Sequence, residues 1–123
     1  MDLNFFKQTR VLDGGMGQEL LARGMKPNGT LWSANAILDE NYHQLLQDTH
    51  RDFVKAGAEV IVTTTFTTRR KRLRENNIED KFEYLNIKAG EIAHKVKKEF
   101  PNVLIAGGPV SYTHLTLPTN REV

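Results

Sequence analysis

Asp13, Gly14, Gly15 and Gly17 are the first residues able to do chemistry. They sit in Val11-Leu12-Asp13-Gly14-Gly15-Met16-Gly17-Gln18-Glu19-Leu20-Leu21. A short apolar run leads to one carboxylate. Glycines follow, and then a helix-forming run. Glycine has no Cβ, so a ligand can come close to the backbone there. On the residues alone Asp13 has two readings. It is a loop-capping aspartate, or a carboxylate that holds a cationic group such as an ammonium. The glycines supply the first two positions of G-x-G-x-x-G, but Leu20 replaces the third. Asp13 beside them would repel a pyrophosphate, so a nucleotide loop is disfavoured.

Thr63, Thr64 and Thr65 are the second group. They are β-branched strand residues, and their hydroxyls are also donors and acceptors for a ligand. Alternation along a strand lets either Thr63 and Thr65, or Thr64, face a site. Arg69 to Arg74 is a basic run without interleaved aromatics, followed at once by Glu75, Glu79 and Asp80. It reads as a solvated helix start or loop rather than a nucleic-acid patch. His43 and His50 stand two turns apart on one helix, not the one-turn spacing of a helical metal pair. The chain has no cysteine, which rules out disulfides, thiolate ligands and a cysteine nucleophile from its own residues.

The elements that position these groups follow from periodicity. Arg10 to Leu12 is a first strand ending at Asp13. Gln18 to Arg23 is a short helix closed by Gly24. Met25 to Ile37 is irregular. Asn41 caps a helix that runs to about Ala56, with Leu45, Leu46, Thr49, Phe53, Val54 and Ala56 on its apolar face and His43, His50 and Asp52 on or near its polar side. Glu59 to Phe66 is the clearest strand. Glu79 to Phe100 is a long helix with Ile78, Phe82, Leu85, Ala89, Ile92 and Val96 as its stripe. Val103 to Ala106 is a third strand, ending at Gly107-Gly108, and Phe5 and Phe6 are placed to cover one end of the core. Strands alternating with long crossovers predict an α/β fold with a parallel sheet, whose ligands bind at the carboxyl ends of the strands. Asp13, Thr63 to Thr65 and Gly107-Gly108 all lie at such ends.

Composition fits a soluble, cytoplasmic protein. A net charge of +2 argues for neither a nucleic-acid nor a membrane partner. No stretch approaches the ~18 apolar residues of a membrane span, and Met1 to Arg10 has no secretory apolar core.

Several blocks together resemble the homocysteine S-methyltransferase family. Leu12 to Leu21 is similar to its opening signature, and Leu31-Trp32-Ser33-Ala34 to its Leu-Trp-Ser-Ala segment. His50-Arg51-Asp52-Phe53 with Ala56-Gly57-Ala58-Glu59-Val60-Ile61 resembles the next block. Thr63-Thr64-Thr65-Phe66 stands at its Thr-Asn-Thr-Phe/Tyr, and Ile105-Ala106-Gly107-Gly108 resembles a later strand end. Order and spacing agree from Arg10 to Gly108. Departures are Gln18 for threonine, Tyr42 for proline and Thr64 for asparagine.

The resemblance implies the first part of a TIM-type (β/α)8 barrel, with about three parallel strands and their crossover helices. It implies methyl transfer to the homocysteine thiolate, giving methionine, from S-methylmethionine, S-adenosylmethionine, betaine or a methylcobalamin-linked folate. It places Asp13, Gly14, Gly15, Thr63 and Thr65 in the substrate pocket. The family's zinc, held by cysteine thiolates, activates the homocysteine sulfur. Those cysteines lie in later strands, and such a barrel takes ~200 residues or more. The expectation is therefore a fragment, inactive alone. Residues 1–109 form its barrel part. Residues 110–123, which read like a translated sequencing adapter, form a non-native tail. The resemblance leaves the methyl donor and oligomeric state unassigned. Weighed against it are another barrel enzyme of aldolase or phosphate-binding type, and a small nucleic-acid-binding module using Arg69 to Arg74.

Overall fold

A computed structural model describes residues 3–108 of the chain. The expected tail, Val110 to Val123, lies outside the described residues. The sheet is short and parallel. Strand β1 is Val60–Val62 and β2 is Leu104–Ala106, paired Val60 with Leu104, Ile61 with Ile105 and Val62 with Ala106. Leu12 joins the other edge of β1 through a single parallel bridge to Val60. Three chain segments thus lie side by side in sequence order.

The first segment falls short of the expected strand. Only two apolar residues precede Asp13; the Val11 carbonyl accepts from the Glu59 and Val60 N–H groups, the Asp13 N–H donates to the Val60 carbonyl, and a side chain adds to this pairing. Glu59 accepts from the Val11 N–H and from Arg10, each at 3.0 Å. The second strand is also shorter than Glu59 to Phe66. The Thr63 N–H still reaches the Ala106 carbonyl at 2.9 Å, and beyond it the chain turns to local partners: the Thr65 N–H donates to the Thr63 carbonyl, and the Thr68 hydroxyl to the Thr65 carbonyl. Hydroxyl side chains that bond nearby backbone compete with a strand ladder in this way.

The helices are α1 (Met16–Ala22), α2 (Asn35–Leu38), α3 (His43–Lys55), α4 (Arg70–Glu75) and α5 (Phe82–Glu99). Residues 25–37, expected to be irregular, hold a 3-10 turn at Trp32–Ala34 and most of α2. The N-terminus of α3 also differs from expectation. A 3-10 turn at Glu40–Tyr42 precedes it, and Asp39 is the cap, accepting from the Asn41 N–H. A similar turn, Glu79–Lys81, leads into α5.

Three helices end alike. Gly24 after α1, Gly57 after α3 and Asn77 after α4 take positive φ. The next residue's N–H reaches back five positions in each case: Met25 to Leu20, Ala58 to Phe53, Ile78 to Leu73. This is the Schellman ending, which satisfies carbonyls that the helix leaves open.

The stripe on α5 is buried, with Leu85, Ala89, Ile92 and Val96 at 2% exposure or less. Its first half joins Leu20, Leu31, Ile37 and Leu46 in one core. Its second half, with Ala93, packs on Ile61 and Val103 beneath the sheet. Arg51 ties α3 to α5 through a two-pronged bond to Glu99 at 2.8 Å. Ala56 is exposed rather than part of the apolar face. Phe5 is half-buried beside Arg10, and Phe6 is exposed. No helix among the described residues is long and apolar enough to cross a membrane.

Candidate substrate-binding site

At the carboxyl end of the sheet, Asp13, Gly14, Gly15, Trp32, Thr63 and Thr64 help to line a cavity of about 370 Å³. Asp13 is the charged residue of its wall. The Asp13 N–H donates to the Val60 carbonyl, and its carboxylate then takes the Val62 N–H at 3.1 Å. The side chain thereby continues the ladder where the backbone diverges. A carboxylate has about four lone-pair sites, so Asp13 keeps capacity for a ligand. Burial pushes its carboxyl above the usual carboxylate range, opposed by the hydrogen bonds from Val62 and from its own N–H. A half-buried anion of this kind is well placed to pair with a cation.

Gly14 and Gly15 serve different purposes. A Cβ on Gly14 would lie 2.9 Å from the Phe53 ring of α3, so packing alone favours glycine there. A Cβ on Gly15 would meet nothing within 4 Å. Its φ of −72° suits any residue. The openness at Gly15 therefore belongs to the cavity.

The structure separates the two expected threonines. Thr63 lines the Asp13 cavity, whereas Thr65 lines a neighbouring one that Thr63 also borders. Their hydroxyls are 3.2 Å apart. Thr64, at the departure from the family pattern, is buried and reaches the Asp13 cavity.

Behind Thr64 stands His50, which is fully buried and not on the polar side of its helix as expected. Its Nε2 is 3.4 Å from the Thr64 hydroxyl, and its Nδ1 has no hydrogen-bond partner among the described residues. Burial lowers its pKa to about 4, so the imidazole is neutral at physiological pH. The spacing held the signal: His50 follows Leu46 by four and precedes Phe53 by three, which places it within the stripe.

Two aromatic walls had not been assigned to the site from sequence. Trp32 and Phe66 both line the cavity and are each more than half exposed. Trp32 has φ +51°, unfavourable for a bulky residue. Thr67, fully buried, holds that turn from both sides. Its hydroxyl donates to the Leu31 carbonyl at 2.6 Å and accepts from the Ala34 N–H at 3.1 Å. Strained backbone persists where its surroundings over-determine it, commonly at functional sites.

The basic run is largely engaged within the chain. Arg74 makes two bonds of 3.1 Å to Glu79, and Arg72 donates to the Thr30 carbonyl. Among the described residues no three His, Cys, Asp or Glu side chains group as metal ligands.

The family model described as "Homocysteine S-methyltransferase" matches residues 10–120. Homocysteine S-methyltransferase 2 of Saccharomyces cerevisiae is 36% identical over 90 residues, covering 66% of this chain and 28% of that protein. S-methylmethionine–homocysteine S-methyltransferase BHMT2 of Rattus norvegicus is 34% identical over 98 residues, covering 80% and 24%. The crystal structure of the homocysteine methyltransferase MmuM from Escherichia coli, in its metallated form, superposes with a TM-score of 0.74 at 28% identity, covering 90% of this chain and 41% of that one. The chain spans roughly a quarter of the length of these curated relatives.

Proposed function

Because the chain belongs to the homocysteine S-methyltransferase family, we propose that it supplies the amino-acid-binding wall of an enzyme that methylates homocysteine to methionine. The observation that carries this reading is the Asp13 carboxylate. It is fixed by the Val62 N–H at the end of the sheet and aimed into a cavity whose floor is open at Gly15. Asp13 pairs with the homocysteine ammonium. Gly14 and Gly15 admit the amino-acid backbone, and the Thr63 hydroxyl, with Thr65 behind it, completes the polar wall. So oriented, the homocysteine thiol loses its proton to solvent, and the thiolate attacks the donor methyl carbon. The S–CH3 bond forms as the donor's bond to that methyl breaks, and the donor keeps the electron pair. Trp32 and Phe66 supply apolar walls on that side.

The same reading makes the three sequential parallel segments the start of a (β/α)8 barrel, with residues 1–109 its native part and 110–123 a foreign tail. A cytoplasmic location belongs to it as well. A metallated relative indicates a metal in the family, and we take it to be zinc. The residues present do not fit a thiolate zinc site, since the sequence has no cysteine. No step is assigned to a metal here.

The test is methyl transfer by the intact enzyme that contains residues 1–109. Incubation with homocysteine and S-methylmethionine, S-adenosylmethionine or betaine should yield methionine with at least one donor. No methionine from any donor would reject the reading.

A further inference from the structure

The Trp32 indole stands between two cavities. One is the Asp13 cavity, and the other, of about 330 Å³, has Leu21, Met25 and Pro27 in its wall. Gly17 and Trp32 border both. A Cβ on Gly17 would lie 4.0 Å from the Cε3 atom of the indole, so the ring rests beside bare backbone at the start of α1.

More than half of Trp32 is exposed, so packing does little to hold the ring. Its place is set by its backbone. Trp32 is the second residue of a turn that the Ala34 N–H closes on the Leu31 carbonyl at 3.0 Å. A φ of +51° gives such a turn its mirror-image form, in which glycine, asparagine or aspartate ordinarily takes this position. The common form, with negative φ, keeps the same closing bond and sends the side chain in another direction. The closing bond alone therefore does not choose between the two.

Thr67 supplies the remaining restraint. It is fully buried, and its hydroxyl donates to the Leu31 carbonyl at 2.6 Å and accepts from the Ala34 N–H at 3.1 Å. Both ends of the turn thus converge on one oxygen. That oxygen is anchored in turn, because Asn86 of α5 donates to the carbonyl of the next residue, Thr68, at 3.2 Å.

We propose that Thr67 is a positioning residue of this site, latching the Trp32 indole as the wall that measures the side chain of an amino-acid ligand. The proposal rests on the reading of the Asp13 cavity given above. With the ligand's ammonium on Asp13, its side chain runs on toward Trp32, and each methylene that reaches the indole leaves water. Without the hydroxyl the turn reverts to its common form. The indole then leaves the wall, with the neighbouring cavity open to receive it, and the selection by length is lost.

The experiment uses the intact enzyme that contains residues 1–109. Calorimetry measures the binding of alanine, 2-aminobutyrate and norvaline, unreactive amino acids that grow by one methylene at a time to about the length of homocysteine. The wild type should bind norvaline about fifteenfold more tightly than alanine, at about fourfold per buried methylene. Thr67→Val keeps the shape and loses the hydroxyl, and should bring that ratio below fivefold. Thr67→Ser should return it to within twofold of the wild type. Trp32→Gly should give the same low ratio, and adding Thr67→Val to it should change the ratio no further. A Thr67→Val or Trp32→Gly enzyme that keeps the wild-type ratio overturns the proposal. Should Thr67→Val fold only in the Trp32→Gly background, the hydroxyl is needed solely to hold the strained turn, and the proposal stands. Failure to fold in both backgrounds makes Thr67 a general structural residue and overturns it. If the wild type binds all three ligands with a ratio below fivefold, the proposal falls and the amino-acid reading of the Asp13 cavity stays. If it binds none of them, that reading is rejected and the proposal with it.

Discussion

Asp13 and His50 are both ionisable groups taken partly or wholly out of water, and burial acts on them with opposite signs. Asp13 has its pKa raised in the fold. Its stabilising contribution is present below the unfolded value of 3.8 and is lost as pH rises through the folded value. At neutral pH the charged carboxylate is thus a cost to the fold. Asp13→Asn keeps an oxygen for the Val62 N–H and removes that cost. Thermal melting at pH 7 should show unchanged or higher stability, while KM for homocysteine rises on the order of 10- to 100-fold, the worth of a charge-assisted bond. A variant that lost stability and kept its KM would make Asp13 a structural cap. For His50 the folded value is about 4 against 6.5 unfolded. Stability is full above pH 6.5 and falls as pH drops toward 4, by about 3 kcal/mol over that window. Urea denaturation across pH 4 to 7 checks this, and His50→Gln should flatten the slope. The place of Asp13 at the end of the first segment was legible in sequence from the carboxylate before glycines, but its role was not, because capping a loop and holding a cation call for the same residue. His50 was not, because its polarity argued against the stripe that its spacing supported. Trp32 carries no local signal for a positive φ; the cause is Thr67, 35 positions away in the chain but bonded across the turn.

Among the elements, α3 backs the site from beneath. Phe53 meets Gly14, and His50 meets Thr64, so one helix face sets the height of both loops. Its start and finish determine where those residues point. Asp39 caps the preceding 3-10 turn, and Gly57 closes the helix at φ +121°. No L side chain adopts that φ comfortably, although a Cβ there would meet nothing within 4 Å. Gly57→Ala is therefore a test of backbone strain without a packing clash. It should cost about 1–2 kcal/mol in denaturant unfolding. A change below ~0.5 kcal/mol would mean that the Schellman ending of α3 contributes little. These helix ends were legible in advance, since Gly24 and Gly57 each follow an apolar period. So were α3 and α5 themselves. The cap was misplaced from Asp39 to Asn41 because a short 3-10 turn shifts the count by two residues and leaves no periodic trace. The strands were overestimated in length. β-branched residues run to Phe66, but pairing with β2 ends at the Thr63 N–H on the Ala106 carbonyl, and beyond it the chain bonds locally.

At the scale of the whole chain, the parallel order was legible from the alternation of strands and helices. The thinness of the sheet was not. Two strands of three residues and one bridge carry its pairing, and Val11 and Leu12 remain more than half exposed at its edge. Open edges and uncovered apolar residues are what further strands of a barrel would bury. The relatives supply that length, as this chain covers 41% of the metallated E. coli structure. By itself the 123-residue chain should hold its helices better than its sheet. In α5 the N–H groups are paired within the helix, and Leu85 to Val96 are packed on two cores. In the segment from Val60 to Thr65 the Val60 N–H reaches Val11 at 3.3 Å, the Thr63 N–H sits at the end of the pairing with Ala106, the Val62 N–H depends on one carboxylate and the Thr65 N–H on a turn. Hydrogen exchange of the isolated chain should therefore show protected amides along α5 and little protection from Val60 to Thr65. The same chain, given homocysteine, a methyl donor and added zinc, should form no methionine. Slow exchange throughout Val60 to Thr65 would show that the three segments are a stable unit without further strands. Methionine formation would show that the Asp13 wall is a whole active site. Either result would require the sheet edge at Leu12 to be satisfied in some way other than by the rest of a barrel.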